Sequence, residues 1–162
     1  MSHPVTNRSI PTSTVIPELG YENVKQAADW LCRVFGLRER LLIGNHRAQL
    51  VFGDGAVIVT EWHDDGSNRT DSALLRSSGS TSPGHSLLVR VEDVDSHYKR
   101  ARDQGAHILN PPTDWPYGER QYTAVDLGGH IWRFSQSIAD VDPAEWGGTA
   151  INLEKEWPTL PR

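Results

Sequence analysis

The sequence predicts an α+β fold of two tandem βαβββ modules, on three observations. A strand pattern, a helix pattern and a further set of strands occupy residues 15–62. The same order returns about 70 residues later, over residues 85–135, as a tandem repeat does. In each copy one glycine closes the helix (Gly36, Gly105) and another opens the last strand (Gly55, Gly129). A repeat of this kind places a ligand site between its copies.

The first strand is marked by Val15, Ile16 and Leu19. In the helix that follows, Val24, Ala27, Ala28, Leu31, Val34 and Phe35 recur at helical spacing, while Lys25, Gln26, Asp29 and Arg33 fall on the other side. Asn23 is its expected N-cap and Gly36 its stop. The module ends in the strand Gly55-Ala56-Val57-Ile58-Val59. The second module opens with Leu87-Leu88-Val89-Arg90-Val91 and continues into a helix over residues 94–105, with Val94, Tyr98 and Ala101 on one face and Asp95 as cap. Its last strand is Gly129-His130-Ile131-Trp132-Arg133-Phe134. Each helix has a single apolar stripe and needs a sheet to cover it.

The chain thus divides into an N-terminal arm (1–13), a first module (14–63), a linker (64–83), a second module (84–136) and a C-terminal tail (137–162). The arm is polar and broken by prolines, so it frays or crosses a surface. The linker carries Gly66 and Ser77-Ser78-Gly79-Ser80, with few large apolar groups. The tail holds Trp146 and Trp157, which are expected to pack on the body or on a second subunit.

A net charge of -5, with basic and acidic residues interleaved, excludes the basic stripe that nucleic acid requires and disfavours a polyanionic partner. Cys32 is the lone cysteine, so no intrachain disulfide forms, and its place on the apolar face of the first helix reads as a buried small hydrophobe rather than a reactive thiol. No apolar run approaches the roughly 20 residues that span a bilayer, and residues 1–12 lack the apolar core of a signal peptide. The expectation is a cytoplasmic protein with no membrane partner.

The runs Pro17-Glu18-Leu19-Gly20-Tyr21-Glu22-Asn23, Ala28-Asp29-Trp30-Leu31-Cys32-Arg33-Val34-Phe35-Gly36, Val91-Glu92-Asp93-Val94-Asp95, Tyr117-Gly118-Glu119-Arg120-Gln121-Tyr122 and Asp126-Leu127-Gly128-Gly129-His130-Ile131-Trp132 resemble the glyoxalase/bleomycin-resistance/dioxygenase superfamily, also called vicinal oxygen chelate (VOC) proteins. The resemblance covers about three quarters of the chain, residues 14–135. It implies paired βαβββ modules whose curved mixed sheets form a cleft, and commonly a homodimer. It does not select a function, because that fold carries isomerases, dioxygenases, thiol transferases and metal-free drug-binding proteins.

Enzymes of the superfamily hold a divalent metal with a His or Glu from the first and last strand of each module. Aligning the strand-to-helix turns places Ile16 and Ser86 at the first-strand positions. Aligning Gly55 with Gly129 places Val59 and Arg133 at the last-strand positions. None is a ligand of that type, and a permanent cation at Arg133 opposes a metal ion. His85 precedes an apolar strand as in the metal enzymes, but alternation gives Leu87, Val89 and Val91 one face and Ser86, Leu88 and Arg90 the other, so His85 has the wrong parity unless a bulge intervenes. No metal site is therefore expected, with His85 the weak candidate, and no cofactor, a divalent metal being the alternative.

The same alternation turns Ile131, Arg133 and Ser135 toward the cleft, with Val57, Val59 and Glu61 as their counterparts and Glu18 in register with Ile16. The ligand-contacting set is Ser86, Leu88, Arg90, Trp115, Tyr117, Ile131 and Arg133. Trp115 and Tyr117 either stack on a planar ligand, as the drug-binding relatives do at the cleft mouth, or form a plain turn ahead of a core Tyr122. Two functions follow. One is metal-free binding of a planar, partly apolar small molecule, as bleomycin-type resistance proteins do. The other is an enzyme, metal-dependent through His85 or metal-free with Glu18 or Glu61 as base and Arg133 stabilising an enolate.

Overall fold

Each amphipathic helix finds the sheet it needs within its own repeat. The computed structural model describes residues 5–62, 84–149 and 151. The first module runs β1 (Glu18–Tyr21), α1 (Val24–Phe35), β2 (Arg38–Ile43), β3 (Arg47–Phe52) and β4 (Gly55–Glu61). The second runs β5 (Leu87–Arg90), α2 (Val94–Asp103), β6 (His107–Trp115), β7 (Glu119–Val125) and β8 (Ile131–Ser137), followed by a 3-10 turn at Pro143–Trp146. The sheets are ordered β1-β4-β3-β2 and β5-β8-β7-β6. In each, the first strand lies parallel to the last and the remaining pairs are antiparallel. This is the expected α+β fold of two βαβββ modules. The linker expected at 64–83 lies outside the described residues.

Local chemistry sets the helix ends. Asn23 accepts a hydrogen bond from the Gln26 amide at 2.9 Å, and Gly36, at φ 80°, closes α1 by donating to the Cys32 carbonyl. The second helix differs from expectation, because its cap is Asp93 and not Asp95. Asp93 has extended backbone and accepts from the amide and hydroxyl of Ser96, while Asp95 sits inside the first turn and pairs with Arg120. These hydrogen bonds hold the Asp93 carboxyl below its usual pKa. β1 also begins later than expected. Val15 is exposed and Ile16 precedes the strand, whose pairing is introduced by the Pro17 carbonyl accepting from the Ile58 amide.

The two modules share one core. Phe35 at the end of α1 lies 5.4 Å from Trp132 and 4.9 Å from Phe134, ring centre to ring centre, and all three are buried. Arg100 of α2 donates to the Arg33 carbonyl at the end of α1 and adds a second donor to the Cys32 carbonyl, which also accepts from Gly36. Cys32, expected to be buried, is only half-buried against this core, and burial is the main cause of its raised thiol pKa.

Core packing also fixes which way β4 faces. Val57 and Val59 lie in the core, at 6% and 0% exposure, so neither stands on the open face of β4 with the counterpart of Arg133, although Val57 borders the inter-module cavity. The observed ladders pair Glu18 with Ile58 and Leu88 with Arg133. The counterpart of Arg133 is therefore Ile58, one residue before the position that the glycine alignment gave, and a one-residue slip exchanges the two faces of a strand. Glu61 shares the parity of Val57 and Val59, so alternation gives no basis for setting it opposite Arg133.

Candidate functional site

The second sheet buries one face and opens the other. Trp132 and Phe134 of β8 point into the core, which leaves Ile131, Arg133, Ser135 and Ser137 on the opposite side. Cross-strand partners project from the same face. Leu88, Arg133 and Thr123 therefore form one row of this surface, and Arg90, Ser135 and Gln121 the next. Ser137, Glu119 and Trp115 form a third row. Ile131, beside Val125, is half-buried at the end of β8.

Polar groups link these rows. Tyr117 donates through its hydroxyl to Gln121 Oε1 at 3.2 Å, and Gln121 Nε2 donates to Ser135 Oγ at 3.0 Å. Gln121 and Ser135 are buried although they lie on the open face. Arg90 donates to Ser137 Oγ at 2.6 Å, and Ser137 in turn donates to Glu119 Oε1 at 3.1 Å. The Arg90 guanidinium also lies 3.6 Å from that oxygen, whereas Glu119 Oε2 is buried with no hydrogen-bond partner. Arg133 is exposed and Leu88 is 65% exposed.

An aromatic group borders this network. The rings of Trp115 and Tyr117 lie 6.1 Å apart and 7° from parallel, and Trp146 of the tail tilts against Tyr117 at 5.5 Å. The sequence expectation for the tail left a packing partner open, and its described part packs on the β6–β7 turn. Ile138 and Ala139 donate their amides to the Gly118 carbonyl, and Gly118 has φ 83° with no space for a side chain, since a Cβ there would lie 2.3 Å from the Ala139 oxygen. Tyr122, read from sequence as a core residue in one of two alternatives, is fully buried.

A cavity of about 1190 Å³ opens between the modules, walled by Leu50, Phe52 and Val57 on one side and Leu88, Val89 and Trp132 on the other. The residues singled out in the sequence thus fall into two groups. Ser86, Leu88 and Arg90 line the cavity, whereas Trp115, Tyr117, Ile131 and Arg133 stand outside it on the strands and turn of the second sheet. Leu88 and Arg90 join the two because β5 is an edge strand. Glu18 lies on the other module, where Arg47 Nη2 donates to it at 2.8 Å. Glu61 ends β4.

The residues present do not fit the metal of the superfamily's enzymes. In the observed register the first-strand and last-strand positions on the open faces are Glu18, Ile58, Leu88 and Arg133. Only one of these is a carboxylate, and it is already paired with an arginine. Among the described residues no three His, Cys, Asp or Glu side chains gather as a ligand set, and His85 is exposed ahead of β5.

Two histidines that showed no ligand spacing in the sequence hold the modules together instead. His97 of α2 places Nε2 2.7 Å from the Phe35 carbonyl and Nδ1 2.7 Å from the Tyr122 hydroxyl. A carbonyl only accepts, so Nε2 carries the proton and Nδ1 accepts from Tyr122. His130 Nε2 likewise donates to the Gly20 carbonyl at 2.9 Å.

Comparison with known proteins agrees with this architecture. The chain belongs to the glyoxalase/bleomycin resistance protein/dioxygenase superfamily, whose family model matches residues 15–134. Among solved structures it is similar to TioX from Micromonospora sp. ML1, with 38% identity over 77% of this chain and 98% of that one and a TM-score of 0.59. It shares its fold with TnmS3, an antibiotic binding protein from Streptomyces sp. CB03234, at 19% identity over 79% of this chain and 98% of that one, with a TM-score of 0.56. An uncharacterized protein of Mycobacterium bovis is 30% identical over 59 residues, which span 36% of this chain and 39% of that relative's length. Among the described residues no helix is long and apolar enough to cross a membrane.

Proposed function

We propose that the protein binds a planar, partly apolar small molecule without a metal, on the open face of its second sheet and the adjoining inter-module cavity. One observation carries this reading. Leu88 and Arg133 stand side by side, both exposed, on the first and last strands of the second module, the strands from which the superfamily's enzymes draw metal ligands, and the near-parallel rings of Trp115 and Tyr117 lie at the β6–β7 turn of the same sheet. An exposed apolar side chain, an exposed guanidinium and stacked rings match a flat ligand with an anionic or hydrogen-bonding edge. The antibiotic-binding role given to TnmS3, which has the same fold, is consistent with this reading.

The face works by division of labour. The rings and Leu88 remove apolar area from water, and Arg133 meets the polar edge of the ligand. The hydrogen-bonded chain Tyr117–Gln121–Ser135, buried at Gln121 and Ser135, holds the ring of Tyr117 in place. A ligand donor beside Glu119 Oε2 would satisfy an acceptor that the protein leaves without a partner. The test uses anthracene-2-carboxylate as a planar anionic probe and its carboxamide as the neutral partner. Saturable binding that favours the carboxylate, weakened by Arg133→Ala and by Trp115→Ala, is expected. Equal affinity of the wild-type and both variant chains, or turnover of the probe, would overturn the proposal.

A further inference from the structure

The two open sheet faces are not alike, and the difference lies in the N-terminal arm. In the first sheet, Gln49 and Ile58 are cross-strand partners on the side away from the core, where Arg133 and Thr123 stand in the second. Yet Gln49 is 2% exposed and Ile58 3%. Their cover is the segment of residues 8–17. Gln49 Nε2 donates to the Ser9 carbonyl at 2.8 Å and Arg40 Nη2 to the Arg8 carbonyl at 2.9 Å. Arg40 also donates to Gln49 Oε1 at 2.5 Å, which orients the amide for the arm. Pro11 is buried, Ser13 Oγ donates to the Asp54 carbonyl at 2.7 Å, and the Pro17 carbonyl accepts from Ile58 at 2.9 Å.

We infer that the open face of the first sheet is a recognition surface for a turn-rich peptide segment, and that the chain's own residues 8–17 occupy it in cis as a strap. The chemistry of the face suits that occupant. Two side-chain donors, Gln49 Nε2 and Arg40 Nη2, meet two consecutive backbone carbonyls, and Ile58 adds a buried apolar side chain to the same face. Gln49 is a buried amide whose two polar ends are both satisfied only while the arm is in place. The strap keeps the first face closed to other ligands, so that the second face alone is open. Its release would uncover a second surface, flanked by Arg40 and Arg47, for an aromatic anion. The strap itself does not depend on the ligand reading above, whereas the latent anion surface rests on it.

Limited trypsin digestion of the full-length chain tests the strap, because Arg8 is the only Lys or Arg among residues 1–17. Cleavage after Arg8, followed by intact mass, is expected to be at least tenfold slower than in a synthetic peptide of residues 5–17. Equal rates would overturn the strap. Losing one side-chain-to-carbonyl hydrogen bond corresponds to a shift of roughly fivefold, so Gln49→Leu should speed this cut by about that factor. Cuts after Lys25 or Arg33 in α1 report global opening. If they accelerate equally, Arg40→Ala, a change at an exposed side chain, decides, and no gain at Arg8 in that variant overturns the strap. Gln49→Leu should also take up one more anthracene-2-carboxylate per chain than the wild type. An unchanged uptake alongside faster cleavage would overturn the latent binding surface.

Discussion

The hydroxyl of Tyr21 in β1 donates a hydrogen bond of 2.5 Å to Oδ2 of Asp126, in the turn between β7 and β8, tying the first module to the second across 105 positions of sequence. The same oxygen accepts from Trp132 Nε1 at 2.9 Å, while Oδ1 takes the amides of Gly128 and His130. Asp126 thus serves four donors on the core side of the β7–β8 turn. Leaving buried donors without an acceptor costs about 1–3 kcal/mol each. Asp126→Ala is expected to lose about 3 kcal/mol and Tyr21→Phe about 1 kcal/mol. Urea unfolding would show this as lower midpoints at an unchanged slope.

Burial, and then the neighbouring Asp126, push the Tyr21 phenol well above its ordinary value, and burial does the same for Tyr122. Both stay protonated in the fold while the unfolded chain ionises near pH 10. Their contribution to stability is full below that pH and falls as pH rises toward the folded values. Absorbance at 295 nm should show two of the tyrosines ionising only on unfolding.

His97 gives the opposite dependence. Burial is the first cause of its lowered pKa, with the charge of Arg100 adding to it and the bond to the Phe35 carbonyl opposing it. Phe52, Phe134 and the Tyr122 hydroxyl also face the ring. The unfolded chain therefore binds the proton first, and stability present at pH 7 is lost as pH falls through about 6.5 toward the folded value. Unfolding between pH 7 and pH 5 should show this loss in the wild type, and His97→Gln should be flatter over the same window.

At the site, Arg133 is exposed and among the described residues it takes part in none of the ion pairs, so Arg133→Ala should change stability by no more than about 0.5 kcal/mol. The same change should weaken anthracene-2-carboxylate about tenfold, the scale of a charge-assisted hydrogen bond. Trp115→Ala should weaken it about fivefold, the scale of a stacked pair. Fluorescence titration checks both.

Gly118→Ala tests the link between tail and platform. Its Cβ would meet backbone, not a yielding side chain, at a positive φ, so the β6–β7 turn must shift and Trp146 must leave Tyr117. A stability loss of about 2–4 kcal/mol is expected, together with weaker probe binding. Unchanged tryptophan fluorescence and unchanged affinity would contradict that coupling.

Local patterns in the sequence carried much of this fold. The stripe from Val24 to Phe35, the cap at Asn23, the stop at Gly36 and the inward set of Leu87, Val91, Trp132 and Phe134 follow from periodicity and turn chemistry, which neighbouring residues decide. The facing of β4 was not legible. A glycine marks where a strand begins, not which partner each residue meets, and the slip from Val59 to Ile58 appears only in the β1–β4 ladder. The cap at Asp93 was misplaced because Asp93 and Asp95 are chemically alike and only the backbone at 93 separates them. Tyr21–Asp126, His97–Phe35 and Gln49–Ser9 were invisible for a deeper reason, since each depends on how distant segments dock. The nearest signal was Asp126-Leu-Gly-Gly-His130, an acid placed to accept from a tight turn.

Metal-free binding on the open face of the second sheet is tested most directly by calorimetric titration of anthracene-2-carboxylate into the chain, with and without excess EDTA. Equal affinity in both, with a tenfold loss in Arg133→Ala, is expected. Binding that vanishes in EDTA and returns with one equivalent of a divalent ion would contradict it, and would mean that a ligand set outside Glu18, Ile58, Leu88 and Arg133 holds a metal.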